Sequence, residues 1–177
     1  MQTSPDSTEN AQLDLTVSGL SHLDSDGDIN MVDVSGKTVT TREAHASGQV
    51  RFPKDIYTQI KVADGMTKKG SITQTAHIAG IMAAKRTHDL IPLCHPLPLD
   101  KIALNFVYDD STQAIVVTAT VKVTHKTGVE MEALTAVSIA CLTIYDMTKA
   151  LSHDIVIDNI HLLNKTGGKS EYQFPSN

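Results

Sequence analysis

The feature that most constrains this chain is a run of helix-forming residues from Val129 to Leu151. Its apolar side chains fall on nearly every face of a helix, so other parts of the protein must cover it, and a second subunit is one candidate. The same run carries two acids, Glu132 and Asp146. A rise of 1.5 Å per residue places them about 21 Å apart. One chain cannot easily bring both acids to the same small reacting centre.

Shorter elements flank this helix on both sides. Runs rich in β-branched residues, bounded by turn residues, predict strands, while Pro53 and Ser71 mark the starts of two helices. We predict strands over Glu43–Phe52, Ile102–Tyr108, Ala114–Val123 and Ile155–Leu163, a short last strand over Glu171–Phe174, and helices over Pro53–Gly65 and Ser71–Arg86. The order β, α, α, β, β, α, β predicts an α+β fold of the ferredoxin-like split βαβ plan, with an antiparallel sheet and one additional helix.

Charge is unevenly distributed along the chain. Residues 1–33 hold seven acids and no lysine or arginine, which leaves 15 basic against 13 acidic side chains in the rest of a chain whose net charge is -5. The overall acidity argues against non-specific nucleic-acid binding, whereas residues 34–177 could hold a basic pocket for a phosphorylated small molecule. Residues 1–19 are polar and lack a regular period, so we expect a disordered tail followed by a single domain over residues 20–177.

Membrane and targeting signals are missing from the sequence pattern. The longest weakly polar stretch, Ala133–Tyr145, has 13 residues, whereas a bilayer span needs about 20 apolar residues. The segment Met1–Asn10 lacks the cationic start and the apolar run of a secretory signal. We therefore expect a cytoplasmic protein with no membrane partner.

Several metal and nucleotide motifs begin in this sequence but are not completed. Asp24–Asp28 starts like a calcium loop, yet the twelfth position is Ser35 where a glutamate is required. Gly168–Ser170 matches the end of a phosphate loop without its first glycine. The histidines and cysteines show no zinc-site spacing. We expect no bound metal, and we expect Cys94 and Cys141 to be reduced core residues.

Three clusters of polar residues could carry chemistry. Lys68 and Lys69 precede a helix, where ammonium and backbone N–H groups could bind an anion, or they could be two solvated loop lysines. His95 lies between prolines that hold it rigidly, or it is a packed loop histidine. Asp146 and Lys149 share one helix face, where an ordinary surface pair is the alternative. The third cluster also includes Lys126, Glu130 and Glu132.

Longer motifs occur in a fixed order along the chain. They are Met31–Ser35, Ala79–Ile81, Ala83–Thr87, Asp89–Leu97, Lys126–Thr135, Ile144–Met147 and Gly167–Ser170. Over about residues 20–174 the chain resembles the family of molybdenum cofactor biosynthesis protein C, the MoaC family. The resemblance implies a ferredoxin-like subunit assembled as a homohexamer, a trimer of dimers, with active sites at the subunit interfaces.

The resemblance also implies an activity for the domain. The family's enzymes are cyclic pyranopterin monophosphate synthases, lyases that convert a cyclic dihydro-GTP intermediate, (8S)-3',8-cyclo-7,8-dihydroguanosine 5'-triphosphate, into cyclic pyranopterin monophosphate and pyrophosphate. No resident cofactor is implied, although Mg²⁺ could accompany the substrate triphosphate. A non-catalytic nucleotide-binding regulatory module of the same fold is the alternative, and a GTP-hydrolysing enzyme is disfavoured by the incomplete phosphate loop.

By the same resemblance, Asp146 is the catalytic acid/base, with Lys69 and Lys149 as its partners. The residues expected to bind substrate are Leu93, Cys94, His95, Met131, Glu132, Glu130, Lys126, Lys165 and Arg42. Lysine and arginine groups can neutralise a triphosphate while a substrate hydroxyl attacks the α-phosphorus. Asp146 and the lysines can supply the proton transfers.

Overall fold

The computed structural model describes residues 28–175, and its helices and longer strands lie in one compact unit, Asp33–Asn177. In chain order these elements are β1 (Thr40–Arg51), α1 (Lys54–Val62), β2 (Met66–Thr67), β3 (Gly70–Ser71), α2 (Ile72–Lys85), α3 (Thr87–Leu90), β4 (Lys101–Asp109), β5 (Ala114–His125), α4 (Glu130–Thr148), β6 (Val156–Thr166) and β7 (Tyr172–Gln173). The tail expected over residues 1–19, and most of the Asp24–Asp28 segment, lie outside the described residues.

Five strands form one sheet in the order β4-β5-β1-β6-β7. Every neighbouring pair is antiparallel, and β1 pairs with β5 on one side and with β6 on the other. The two β-α-β units interleave in the way that the split βαβ plan requires, with β7 added at one edge. The predicted α+β fold with its antiparallel sheet is confirmed.

The core lies between one face of the sheet and the helices α2 and α4. Side chains alternate along the strands, so Ala44, Ala46 and Val50 of β1 and Val117 and Val121 of β5 are fully buried on that face. These two strands, β1 and β5, thereby contribute every second residue to the core. The intervening residues of β1, and those of β5 from Val116 onward, lie on the other face and stay at least partly accessible.

Close packing of α2 on α4 depends on a residue without a side chain. A Cβ atom at Gly80 would lie 2.5 Å from Leu104 Cδ2 and 3.0 Å from the carbonyl oxygen of Ala136. Both distances are shorter than ordinary van der Waals contact, so glycine is required where the two helices meet. The packing fixes α4 against its neighbours and thereby fixes the acids at its two ends.

The long apolar run forms the helix Glu130–Thr148, which is shorter than the predicted Val129–Leu151. The chain leaves the helix at Lys149, and the Leu151 N–H donates to the Thr148 carbonyl in a turn at 2.8 Å. The sheet and α2 cover most of the apolar surface of α4, but Leu142 remains 54% exposed. No helix in the described part of the chain is long and apolar enough to cross a membrane.

Candidate active site

Lys69, Asp146 and Lys149 lie together at the C-terminal end of α4, and we call them the lysine–aspartate cluster. Lys149 Nζ is 2.7 Å from Asp146 Oδ1, and Lys69 Nζ is 3.5 Å from Asp146 Oδ2. Lys69 Nζ also donates to the main-chain oxygen of Asp146 at 3.4 Å. Helical spacing brings Lys149 to Asp146, whereas Lys69 comes from the tip of the β2–β3 hairpin. The structure therefore joins all three residues that the resemblance assigns to catalysis.

The cluster holds its groups in defined protonation states. The hydrogen bond and charge of Lys149, and then the charge of Lys69, lower the pKa of Asp146 below its usual value. Asp146 in turn raises the pKa of Lys149. At neutral pH the cluster therefore contains a carboxylate and a protonated Lys149 ammonium. All three side chains are more than half exposed, so an anionic ligand can reach them from solvent.

A second group lies at the N-terminal end of α4, and we call Glu130, Glu132, Cys94 and Lys165 the glutamate cluster. Lys165 Nζ, on β6, is 3.0 Å from Glu130 Oε1. Glu132 is only 4% exposed, and burial raises its pKa from 4.5 to about 7. Burial and, next, the charge of Glu132 raise the pKa of Cys94. Glu130 and Glu132, only two residues apart, thus have very different surroundings.

The loop between α3 and β4 reaches the glutamate cluster. The Cys94 N–H donates to the Ile91 carbonyl at 3.0 Å, which closes a tight turn in this loop. Leu93, Cys94 and His95 are all partly buried there. Because the charge of Glu132 acts on the Cys94 thiol, the loop lies beside the first turn of α4.

Two further predicted cations lie on adjacent strands or just after them. Arg42 Nε donates to the His125 carbonyl at 3.0 Å, and Lys126 Nζ donates to the Ser35 carbonyl at 2.6 Å. Among residues 28–175, neither forms an ion pair within 4.0 Å with a carboxylate. Both can therefore present positive charge to an anionic ligand. Met131, in the first turn of α4, is 38% exposed.

The two clusters do not meet within one chain. Asp146 and Glu132 lie on the same continuous helix, and a rise of 1.5 Å per residue separates them by about 21 Å. The lysine–aspartate cluster at one end of α4 and the glutamate cluster at the other are two separate groups within this chain. The separation expected from the sequence persists in the fold.

Sequence reasoning overlooked His125 at the end of β5. Its ring Nδ1 is buried and finds no hydrogen-bond partner within the described part of the chain. Buried polar atoms without a hydrogen-bond partner are uncommon in folded proteins, so His125 is an additional candidate for a ligand-contacting residue. A single histidine at a strand end gives no spacing signal, so the sequence alone could not single it out. No group of three metal-ligating side chains was found among the described residues.

Comparisons with known proteins identify the family of this chain. The model of the MoaC family matches residues 31–168. A cyclic pyranopterin monophosphate synthase from Cereibacter sphaeroides is 54% identical over 154 residues, which are 87% of this chain and 96% of the relative. The synthase of a Nostoc species is 53% identical over 156 residues, 88% of this chain and 92% of the relative. That of Heliobacterium modesticaldum is 52% identical over 151 residues, 85% and 94% of the two chains. The chain belongs to the MoaC family.

Proposed function

We propose that this chain is a cyclic pyranopterin monophosphate synthase of molybdenum cofactor biosynthesis. It converts the cyclic dihydro-GTP intermediate into cyclic pyranopterin monophosphate and pyrophosphate, as the names of its relatives indicate. The observation that carries the proposal is the lysine–aspartate cluster, in which one carboxylate lies between two ammonium groups on an accessible surface. That arrangement can bind a polyphosphate and move protons at the same place.

The pKa directions assign the first roles within the cluster. Asp146 begins as a carboxylate and can accept the proton of the attacking substrate hydroxyl. The new oxygen–phosphorus bond forms at the α-phosphorus as the bond to the β-phosphate oxygen breaks, which releases pyrophosphate. Lys149 begins protonated and, with Lys69, stabilises the negative charge that develops on the phosphates. The same groups can serve the proton transfers of ring opening and pterin ring closure.

The remaining predicted residues form the substrate-recognition part of the site. Arg42 and Lys126 supply positive charge near the triphosphate or the purine-derived ring. The glutamate cluster and the Leu93–His95 loop supply hydrogen-bonding groups in a partly buried setting, where polar contacts discriminate most strongly between ligands. Mg²⁺ enters, on this view, as a counter-ion of the substrate and not as a ligand of the chain.

Assembly completes the proposed site. A homohexamer built as a trimer of dimers would bring the glutamate cluster of one subunit to the lysine–aspartate cluster of another. Exposed apolar side chains on the helix layer, Ile78 and Met82 of α2 and Leu142 of α4, support contact with a further subunit. Light scattering of the purified protein should give six chains of 19.1 kDa, about 115 kDa. We place this assembly in the cytoplasm.

A turnover assay with the purified cyclic dihydro-GTP intermediate tests the function. We expect many pyrophosphates released per chain, and no product from GTP alone. A regulatory module would return the nucleotide unchanged, and a GTP-hydrolysing enzyme would act on GTP itself. Either of those outcomes would refute the proposal. A control with the Asp146→Asn protein separates enzymatic turnover from spontaneous decay of the substrate.

A further inference from the structure

The β2–β3 hairpin holds Lys69 at its tip. Its strands pair Met66 with Ser71 and Thr67 with Gly70, so Lys68 and Lys69 form a two-residue connection. The Lys69 side chain is 60% exposed, and its ammonium lies 3.5 Å from the Asp146 carboxylate. Exposed ion pairs of that length contribute little to fixing a side chain. The position of this ammonium therefore depends chiefly on where the hairpin holds the Lys69 backbone.

Packing does little to fix the hairpin tip. Met66 is 57% exposed, and Lys68 and Lys69 both face solvent. The base is better anchored, because the Ile72 N–H donates to the Gly65 carbonyl at 2.9 Å and the Ile72 side chain is buried. The backbone above that base is ordered chiefly by hydrogen bonds within the hairpin, beginning with the pairing of β2 and β3.

One hydroxyl adds side-chain hydrogen bonds to this strand pairing. Thr67 Oγ1 accepts from the Lys69 N–H at 3.1 Å and donates to the Gly70 carbonyl at 2.9 Å. It therefore ties the backbone of the lysine to the opposite strand across the tip. Gly70 has a φ of 107°, a conformation that other residues adopt only with strain, so this turn requires glycine at that position.

We propose that Thr67 is a positioning residue for the reaction, acting through its hydroxyl on the backbone of Lys69. The inference rests on the proposed function, because it concerns the orientation of a group in that active site. Thr67 itself does not touch the substrate. Removal of the Thr67 hydroxyl should leave substrate binding largely intact, while the Lys69 ammonium loses its fixed distance from the Asp146 carboxylate. Small misplacements of a catalytic group reduce the rate far more than they reduce affinity.

The test compares Thr67→Val, which keeps the shape and loses the hydroxyl, with Thr67→Ser, which keeps the hydroxyl. We expect Thr67→Val to lower kcat roughly tenfold to a hundredfold with KM within about twofold, and Thr67→Ser to restore most of kcat. Thr58→Val is the matched control, since Thr58 Oγ1 also donates to a main-chain carbonyl, that of Lys54, at 2.8 Å. Thr58 lies on α1, outside the site, so the kcat of Thr58→Val should equal that of the wild type.

A second readout is independent of turnover. Lysines are labelled by reductive ¹³C-methylation, and the Lys69 signal is assigned by its loss in Lys69→Arg. In the wild type this signal should shift when Asp146 is replaced by Asn. In Thr67→Val the Lys69 signal should no longer respond to Asp146→Asn, because the ammonium is no longer held beside the carboxylate.

The two readouts separate failure of this inference from failure of the proposed function. A wild-type kcat in Thr67→Val, or a Lys69 signal that still responds to Asp146→Asn, would overturn the positioning role. Equal losses in Thr67→Val and Thr67→Ser would overturn it as well. A wild-type protein that does not turn over the cyclic intermediate would refute the proposed function instead, and the labelling result alone would then decide whether Thr67 places Lys69.

Discussion

The two ends of α4 carry acids whose surroundings shift their pKa values in opposite directions. At the C-terminal end Asp146 is exposed and paired with two lysines, which lower its pKa. At the N-terminal end Glu132 is buried, which raises its pKa to about 7. Burial disfavours a charged carboxyl and nearby cations favour it, so one helix keeps two carboxyls in different protonation states.

This difference separates the chemical roles of the two clusters. Asp146 is ionised throughout the neutral range and is accessible to substrate, so it suits the step in which a hydroxyl loses its proton. Glu132 titrates near neutral pH, so it can hold or release a proton in that range. Pairs of carboxyls with pKa values driven apart are a known route to separate acid and base functions within one active site.

The largest effect should come from the lysine–aspartate cluster. We expect Asp146→Asn and Lys149→Ala each to lower kcat by about a thousandfold, because each removes a group that moves a proton or stabilises charge. Steady-state pyrophosphate release from the cyclic intermediate measures the loss. Both side chains are more than half exposed in the chain, so the proposed hexamer should persist in light scattering. Near-normal turnover by either variant would remove that residue from the mechanism.

Most of this cluster and of the fold could be predicted from the sequence. The run Ala114–Val123 predicts a strand because of its β-branched residues, and β5 begins at Ala114. Ser71 was predicted to begin α2, and its hydroxyl accepts from the Gln74 N–H at 3.4 Å. Asp146 and Lys149 are three residues apart on a helix, so their pairing follows from local geometry.

Other features depend on residues that are distant in sequence. The burial of Glu132 is produced by the fold around the first turn of α4, and an acid in a helix pattern gives no sign of it. The β2–β3 hairpin has strands of two residues each, too short to show a period of two. The role of Lys69 came from family resemblance, and only the fold shows that it reaches Asp146 across the chain.

Mixing two inactive variants tests whether the two ends of α4 meet across an interface. We expect Glu132→Ala and Asp146→Asn proteins, unfolded and refolded together, to regain about a quarter of wild-type activity. In a random mixture half of the dimers are mixed, and each mixed dimer holds one site with both defects and one with neither. The same variants refolded separately are the controls, and a tag on one of them verifies exchange. No recovery after confirmed exchange would place both residues in sites formed by one subunit.

Stability as a function of pH should report on the buried end alone. The folded pKa of Glu132 is raised from 4.5 to about 7, so its favourable contribution is complete below about pH 4.5 and is lost as pH rises through about 7. Glu132→Gln does not titrate. As the pH rises from about 4.5 to about 7, the free energy of unfolding of Glu132→Gln should therefore increase relative to that of the wild type, by at most about 3 kcal/mol.

The measurement is urea unfolding of both proteins at equal subunit concentration, at pH 4.5, 6 and 8, because assembly makes stability depend on concentration. Asp146→Asn is the comparison from the other end of α4. The pKa of Asp146 is lowered in the folded state. The stability that Asp146 contributes therefore depends on pH in the opposite direction: it is present at neutral pH and is lost as the pH falls below the usual titration range of an aspartate. A stability difference for Glu132→Gln that stays constant with pH would show that Glu132 is not held in its neutral form.

The smallest effect should come from Cys94, the neighbour of Glu132. Burial and the charge of Glu132 raise the pKa of this thiol, so at neutral pH it is an uncharged group and a poor nucleophile. We expect Cys94→Ala to keep kcat within about threefold of the wild type, since it leaves the lysine–aspartate cluster unchanged and removes a small, uncharged side chain from a partly buried loop. Cys141→Ala is the control for thiol removal, because that side chain is fully buried in the core, away from the glutamate cluster. Loss of more than a hundredfold in Cys94→Ala, with an unchanged melting temperature, would give the thiol a chemical role. The buried end of α4 would then hold a reactive group beside its acid, and the contrast between the two ends would lie in the type of chemistry as well as in protonation state.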